Sequence, residues 1–351
     1  AQFTSTGKLR SGDAGAITIS TGRVGITNDN DPQVSSLALG GQLRGYSAAR
    51  GGSLTLATSY VSIGGGAVGR TGELHLSPAA FSTGGFSSYS ISGQDGIDVA
   101  AGTRVQPNPQ TWIFAADAVF RPTGSDPSLA VGSYRTLPWE LRAPTSLSLS
   151  AINTAFGDVT VDRSATLAVD PGGHLSVTAG GSITVMGRVE ARAGTISLVT
   201  IGPSLAAGYS PRQSIWFGAD SVIDARGITR LQPNARGVRV GEVLDGGSVD
   251  VAARRGTIVT EAGSRMDTSG IADVVDVKQA GLAGGSFQST TVASSAGSIV
   301  LSALEGMLLD GNWRGAAGGA GASGGTITIA MDREANLIGF PTGPREIIVS
   351  A

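Results

Sequence analysis

One phrase, repeated, sets the terms for this chain: small residues that include glycine, then a short run in which apolar and hydroxyl residues alternate. It reads Gly51-Gly52-Ser53-Leu54-Thr55-Leu56-Ala57, Thr71-Gly72-Glu73-Leu74-His75-Leu76 and Ala193-Gly194-Thr195-Ile196-Ser197-Leu198. It returns as Gly246-Gly247-Ser248-Val249-Asp250-Val251-Ala252, Ala296-Gly297-Ser298-Ile299-Val300-Leu301 and Gly324-Gly325-Thr326-Ile327-Thr328-Ile329-Ala330. Alternation of period two sends Ile, Leu and Val to one face of a strand and Ser and Thr to the other. So short a strand cannot bury its apolar face alone. The units must stack, and the repetition predicts an all-β solenoid of parallel coils. Each stacked Val, Ile or Leu then contributes about 1.5–3 kcal/mol before entropy. The 54 glycines fit this reading, because they lack a collagen period and are interleaved with β-branched residues.

Three regions follow along the chain. Residues 1–77 read as coils, with strands at Ile17 to Ile19, Leu37 to Leu39, Leu54 to Leu56 and Leu74 to Leu76. The last two begin 20 residues apart, a length suited to a three-sided coil of short strands, so this period is read as one coil. Asn28-Asp29-Asn30-Asp31-Pro32 reads as a polar loop without the Gly and Glu of a calcium loop. Residues 78–143 break the rhythm with Phe81, Phe86, Tyr89, Trp112, Phe114, Phe120, Tyr134 and Trp139, and with six prolines. Such bulk does not all fit a narrow interior. The region therefore reads as elaborated coils: Gly96-Ile97-Asp98-Val99 continues the winding, and extra hairpins or loops fold against its outside.

Residues 144–351 resume the repeat from Leu147 to about Ala330, with Arg345 to Val349 as a last strand. Three stretches align, at Val222–Gly227, Arg265–Gly270 and Leu308–Gly311, and they place Asp224, Asp267 and Asp310 at intervals of 43 residues. Each is followed by a variable loop, 228–245, 271–283 or 312–323, and then by a glycine-led strand at Gly246, Gly284 or Gly324. Insertions of this kind emerge on a solenoid's surface and often carry its binding function.

Charge and composition narrow the functions. The net charge is −2, and Lys8 and Lys278 are the only lysines, so no basic stripe supports nucleic-acid binding. Without cysteine there is no zinc ribbon, iron–sulfur site, thiol nucleophile or disulfide, which suits a chain that crosses an oxidising periplasm unfolded. No apolar run approaches the ~20 residues of a membrane span. Ala1-Gln2-Phe3 opens without the basic and apolar regions of a signal peptide. Because Ala16 to Ser20 already reads as a repeat strand, the sequence is taken as a piece of a longer polypeptide.

Motifs that suggest chemistry have plainer readings beside them. Gly64 to Gly69 and Gly319 to Gly324 match the dinucleotide pattern GxGxxG, but a strand follows each where a helix N-terminus is needed. Gly321-Ala322-Ser323-Gly324-Gly325 fits the nucleophile elbow without a strand-to-helix turn, and reads as a loop. His75 and His174 are the only histidines; both read as solvated strand-face residues, and no metal or cofactor site is expected. Asp224, Asp267 and Asp310 could form the acidic column of a polysaccharide lyase or hydrolase. Each lies just before a glycine turn, so capping of backbone N–H groups is the preferred reading. Trp112, Trp139, Trp216 and Trp313 are placed in irregular or inserted stretches. They are candidates for stacking on sugar rings or for a protein hot spot, set against a role in pinning loops to the outside.

The glycine-led strands, the lack of cysteine and the scarcity of lysine together resemble the filamentous-haemagglutinin-like exoproteins of bacterial two-partner secretion systems. The stretch from Leu76-Ser77-Pro78-Ala79-Ala80-Phe81 through Ser82-Thr83-Gly84-Gly85-Phe86-Ser87-Ser88-Tyr89-Ser90-Ile91 is similar to one in very large members of that family. Val99-Ala100-Ala101-Gly102-Thr103-Arg104-Val105 continues the similarity. The repeat resemblance covers most of the chain, and the sharper match is short. Membership implies a right-handed parallel β-helix, export of the parent by an outer-membrane partner, and a place outside the cell or on its surface. It implies a role in adhesion, biofilm or contact-dependent competition. The family's secretion domain with its Asn-Pro-Asn-Gly-type motif is not found, so the chain is read as an internal or distal shaft piece. The expected function is non-enzymatic attachment, with a glycan or cell-surface receptor as partner; a β-helical carbohydrate-active enzyme is the alternative.

Overall fold

The computed structural model describes residues 2–3, 9–21, 36–122, 126–153, 157–201, 213–232, 234–279 and 286–331. The loop at Asn28 to Pro32, Gly284 and the strand expected at 345–349 lie outside them. Within the described residues the chain is all-β. Its helical content is four short 3-10 segments, Pro78–Phe81, Ala118–Phe120, Pro127–Ala130 and Trp139–Leu141.

The alternating phrases become parallel strands that stack in register, pass after pass. A first ladder runs through Ala16–Ser20, the first half of Gly52–Ile63, the first half of Phe86–Val99, Ser146–Ala151, His174–Ala179, Thr195–Thr200, Ser248–Ala253, Ser298–Ala303 and Thr326–Met331. A second takes Glu73–Leu76, the second halves of the two long strands, Asp158–Val161, Ile183–Val185, Ser214–Phe217, Thr257–Thr260 and Gly306–Leu309. Because Gly52–Ile63 and Phe86–Val99 run through both, these ladders form one 15-stranded sheet. The third is a 6-stranded sheet of Arg104–Val105, Thr166–Ala168, Arg188–Glu190, Val222–Asp224, Arg265–Asp267 and Asn312–Arg314.

Register stacks like on like. Leu54, Tyr89, Leu147, Leu175, Ile196, Val249 and Ile299 form one inward column, and all are buried. Val61, Ile97, Val159, Ile183, Ile215 and Ile258 form another from the second ladder. Val105, Leu167, Val189, Ile223 and Met266 close the third side, and the three sets belong to one apolar cluster. The outward column beside the first carries Thr55, Ser90, Ser148, Ser176 and Ser197, so the hydroxyl face is as regular as the apolar one.

The glycines that open the phrases have a reason other than turning the chain. At Gly247 an added Cβ would lie 2.0 Å from the carbonyl oxygen of Gly194, and at Gly297 it would lie 1.7 Å from that of Gly247. Those carbonyls accept the N–H groups of Ser248 at 2.9 Å and Ser298 at 3.2 Å. The corner is a column in which successive backbones approach too closely for any side chain.

Two expectations need correction here. Leu37 to Leu39 form no strand. The 20-residue spacing of Leu54 and Leu74 is not one circuit, since Leu54 stacks between Ile17 and Tyr89 while Leu74 stacks on Val61. The strand Gly52–Ile63 continues straight into the second ladder, and the glycine-rich turn after it doubles the chain back beside its own second half. The shortest return to the first ladder runs from Leu175 to its parallel neighbour Ile196.

The aromatic stretch divides between inside and outside. Phe81, Phe86 and Tyr89 are buried in the core, with ring centroids 5.0 Å apart for Phe81–Tyr89 and 6.0 Å for Phe86–Tyr89. The Tyr89 hydroxyl donates to the Ala80 carbonyl at 3.0 Å, which satisfies its polar end. Trp112, Phe114 and Tyr134 instead lie on a hairpin, Gln110–Phe114 paired antiparallel with Val131–Thr136. Two further hairpins join Ile228–Leu231 to Gly241–Leu244 and Ala272–Lys278 to Phe287–Ala293. The second insertion thus extends to residue 293, past the expected 283, and residues 312–314 belong to the third ladder, not to a loop.

Candidate functional site

Charged residues converge along the outer edge of the third ladder, where the acidic column was expected. Register places Glu190, Asp224, Asp267 and Arg314 side by side. Asp310 is not among them: it follows Gly306–Leu309, and Asp267 pairs with Arg314, four positions further on. Asp224 is 1% exposed. Its carboxylate accepts hydrogen bonds from Arg188, from Arg226 at 2.8 and 3.0 Å and from the Arg226 backbone N–H at 3.2 Å. Arg192 stands 3.6 Å away. Asp267 is held alike, by Arg265 at 3.0 Å and the Ser269 N–H at 3.0 Å. Both aspartates therefore cap backbone N–H groups, as their position before a turn suggested, and both also form ion pairs.

This environment opposes acid catalysis. Burial would raise the Asp224 carboxyl, but the side-chain and backbone hydrogen bonds from Arg226 and the charges of Arg226 and Arg192 outweigh it and hold the group below its ordinary value. A glycosidase acid must instead be held protonated at working pH. The seam joins three carboxylates, Glu190, Asp224 and Asp267, to four arginines, Arg188, Arg192, Arg226 and Arg265. Two more buried pairs act as fasteners. Arg142 grips Asp170 at 2.7 and 2.8 Å and also bonds Asn108 and the Leu137 carbonyl, tying the elaborated stretch to the ladders. Arg255 meets Glu305 at 2.8 Å between adjacent passes.

A second polar group lies outside the second ladder. The Arg70 guanidinium sits 4.0 Å over the Tyr60 ring and 3.7 Å from Asp98, and the Tyr60 hydroxyl donates to Asp98. Burial first, and then the Asp98 hydrogen bond and charge, push the phenol well above its ordinary value. His75 is exposed, with its Nδ1 3.1 Å from the Ser62 hydroxyl, and that hydroxyl also meets Glu73. Ser62 is buried, which removes it as a nucleophile. Glu73 accepts the N–H groups of Val68, Gly69 and Arg70 at 2.8, 2.7 and 3.1 Å. The first GxGxxG stretch is thus a turn in which the Val68 and Gly69 donors are taken by a carboxylate of the chain. Around the second, Gly319 to Gly324, the described residues form turn and extended chain. His174 is exposed on the first ladder, opposite Ser146 and Thr195. Among the described residues no three His, Asp or Glu side chains gather as a metal site, and no helix is long and apolar enough to cross a membrane.

The structure does not gather the four tryptophans. Trp216 and Trp313 correct the sequence reading, since both are ladder residues. Trp216 is exposed on Ser214–Phe217 and donates to Glu261 at 3.1 Å, while Trp313 packs against the core opposite Met266. Trp139 lies in a 3-10 segment, and Trp112 lies on the first hairpin.

Besides a short antiparallel pair near the start of the chain, Gln2–Phe3 with Leu9–Arg10, these three hairpins each leave the chain between a third-ladder strand and the next first-ladder strand, so the three share one corner of the fold. The second and third are joined by Arg239. Its N–H and guanidinium reach Asp276 at 2.7 Å and Asp273 at 3.2 Å, and its carbonyl accepts the Asp276 N–H at 2.9 Å. The first is fixed at its base, where Tyr134 packs on Tyr46 at 4.7 Å and the Trp112 N–H bonds the Ser47 carbonyl at 3.0 Å. Beyond that base it presents Phe120 (84% exposed), Leu129 (65%) and Val119 to solvent. Exposed large apolar side chains on one connection make it a candidate interaction surface. At the base lies a pocket of about 430 Å³ bounded by residues 11–17, 44–47 and Trp112.

No protein-family model, curated protein or solved structure matches the chain.

Sequence reasoning missed the arginines of the seam, although a signal was present. Arg188, Glu190 and Arg192 alternate at i, i+2, as do Asp224 and Arg226, which puts opposite charges on one strand face. The pocket left no such signal, because its walls come from three distant stretches.

Proposed function

We propose that this chain is an attachment segment of a secreted or surface-displayed bacterial exoprotein, wound as a right-handed parallel β-helix. The ladders are its shaft, and the hairpins are its contact surface. One observation carries the reading: the three hairpins leave a single corner, and the first presents Phe120, Leu129 and Val119 to solvent. A regular hydroxyl face and a seam of ion pairs suit a rigid spacer. The lyase or hydrolase alternative draws less support, since Asp224 and Asp267 are both engaged by arginine. On this reading the parent is exported by an outer-membrane partner, and the segment attaches to host cells, other bacteria or biofilm matrix without turnover.

The test is retention of the purified chain on cells and matrix-coated surfaces, assayed alongside polysaccharide cleavage. Retention without cleavage, reduced severalfold by Phe120→Ser with Leu129→Ser, is the expected result. Cleavage of any polysaccharide would overturn it.

A further inference from the structure

Resting on the attachment reading, we infer that the pocket beneath the first hairpin binds a single saccharide residue. At about 430 Å³ it has the volume of a small-molecule site. Its lining suits a sugar, which presents a patch of C–H groups edged by hydroxyls that both donate and accept. Trp112 and Tyr46 supply aromatic surface, and Ser11 supplies a hydroxyl. Asp13 supplies an acceptor and Arg44 a fork of donors.

These groups have capacity to spare. Asp13 is exposed and accepts the Arg50 N–H at 3.2 Å, which leaves lone pairs for a ligand. Arg44 is exposed and donates to Gln42 at 2.8 Å, with further N–H groups on the same guanidinium. Trp112 is half-buried, so part of its ring remains as a surface for the C–H patch of a sugar. The walls are also preformed. Ser47 donates to the Gly12 carbonyl at 2.7 Å and accepts the Ala49 N–H at 2.9 Å, while Tyr134 braces Tyr46. A site already ordered in the free chain loses less freedom on binding.

The experiment uses the whole chain. Saturation-transfer NMR with the methyl glycosides of glucose, galactose, mannose, N-acetylglucosamine and glucuronic acid comes first, followed by calorimetric titration of any that respond. At least one is expected to bind, with Arg44→Ala and Asp13→Asn each raising Kd about tenfold or more. Both positions are exposed, so Tm should not move. Trp112→Leu removes the aromatic surface, and should weaken binding severalfold. Trp216→Ala, on the second ladder, should leave it unchanged. An array bearing the responding sugar at chain ends separates the sources: capture assigns a terminal glycan residue, and binding of the methyl glycoside alone assigns a free sugar. Silence from all five glycosides, or binding that survives the three pocket substitutions, overturns the inference. Cell retention without glycoside binding would reject the pocket and keep the attachment reading; glycoside binding without retention would do the reverse.

Discussion

Asp224 stands among three guanidinium groups, and its removal tests how far the seam stabilises the fold. The side chains of Arg188, Arg192 and Arg226 are 34%, 35% and 38% exposed, so water screens part of each attraction. Asp224→Asn should therefore cost about 1–3 kcal/mol, measured by urea unfolding at neutral pH. Its carboxyl is held below the ordinary value of 3.8, so its contribution is complete above that pH and is lost as pH falls below it. Stability of the parent chain should fall as the pH drops below about 4, and more steeply than that of Asp224→Asn. Glycine gives a second residue-scale test. A Cβ at Gly247 or Gly297 would collide with a backbone carbonyl that cannot swing aside, so Gly247→Ala should lose about 1–3 kcal/mol or more. Gly66→Ala, where a Cβ meets nothing, should leave thermal stability within about 0.5 kcal/mol.

Hairpins and ladders behave as different kinds of element. A ladder strand is held on both sides by in-register neighbours and by an apolar face. The second and third hairpins are held mainly by their own antiparallel pairing and by Arg239. Arg239→Ala should accordingly raise amide exchange severalfold at Asp276, whose N–H bonds the Arg239 carbonyl, and leave exchange at Leu198 or Val251 unchanged. Faster exchange within the first ladder would show that the hairpins support the ladders as well as decorate them.

Across the molecule, one apolar cluster extends from Leu54 to Ala303 without a gap at any insertion. Leu198 lies near its middle and is fully buried, so Leu198→Ala should cost about 2–5 kcal/mol, measured by denaturant unfolding. Circular dichroism and tryptophan fluorescence should follow one transition, since no break in the core separates the passes. Two resolved transitions would mean that groups of passes melt on their own, as stacked repeats can.

What the sequence by itself determined is the local rule: period-two alternation assigns an inner and an outer face to each strand, and length forces the strands to stack. It also foretold the capping of turn N–H groups by Asp224 and Asp267, because that chemistry acts within two residues. Registry between distant strands was decided only by tertiary structure. Leu74 met Val61 and not Leu54, and Arg314 took the place expected for Asp310, because insertions of unequal length shift the count along the chain while side chains respond only to their neighbours in space. The pocket is the extreme case. Asp13, Arg44 and Trp112 come together because a hairpin folds back on an earlier pass, and that contact is set by packing, which no local pattern encodes.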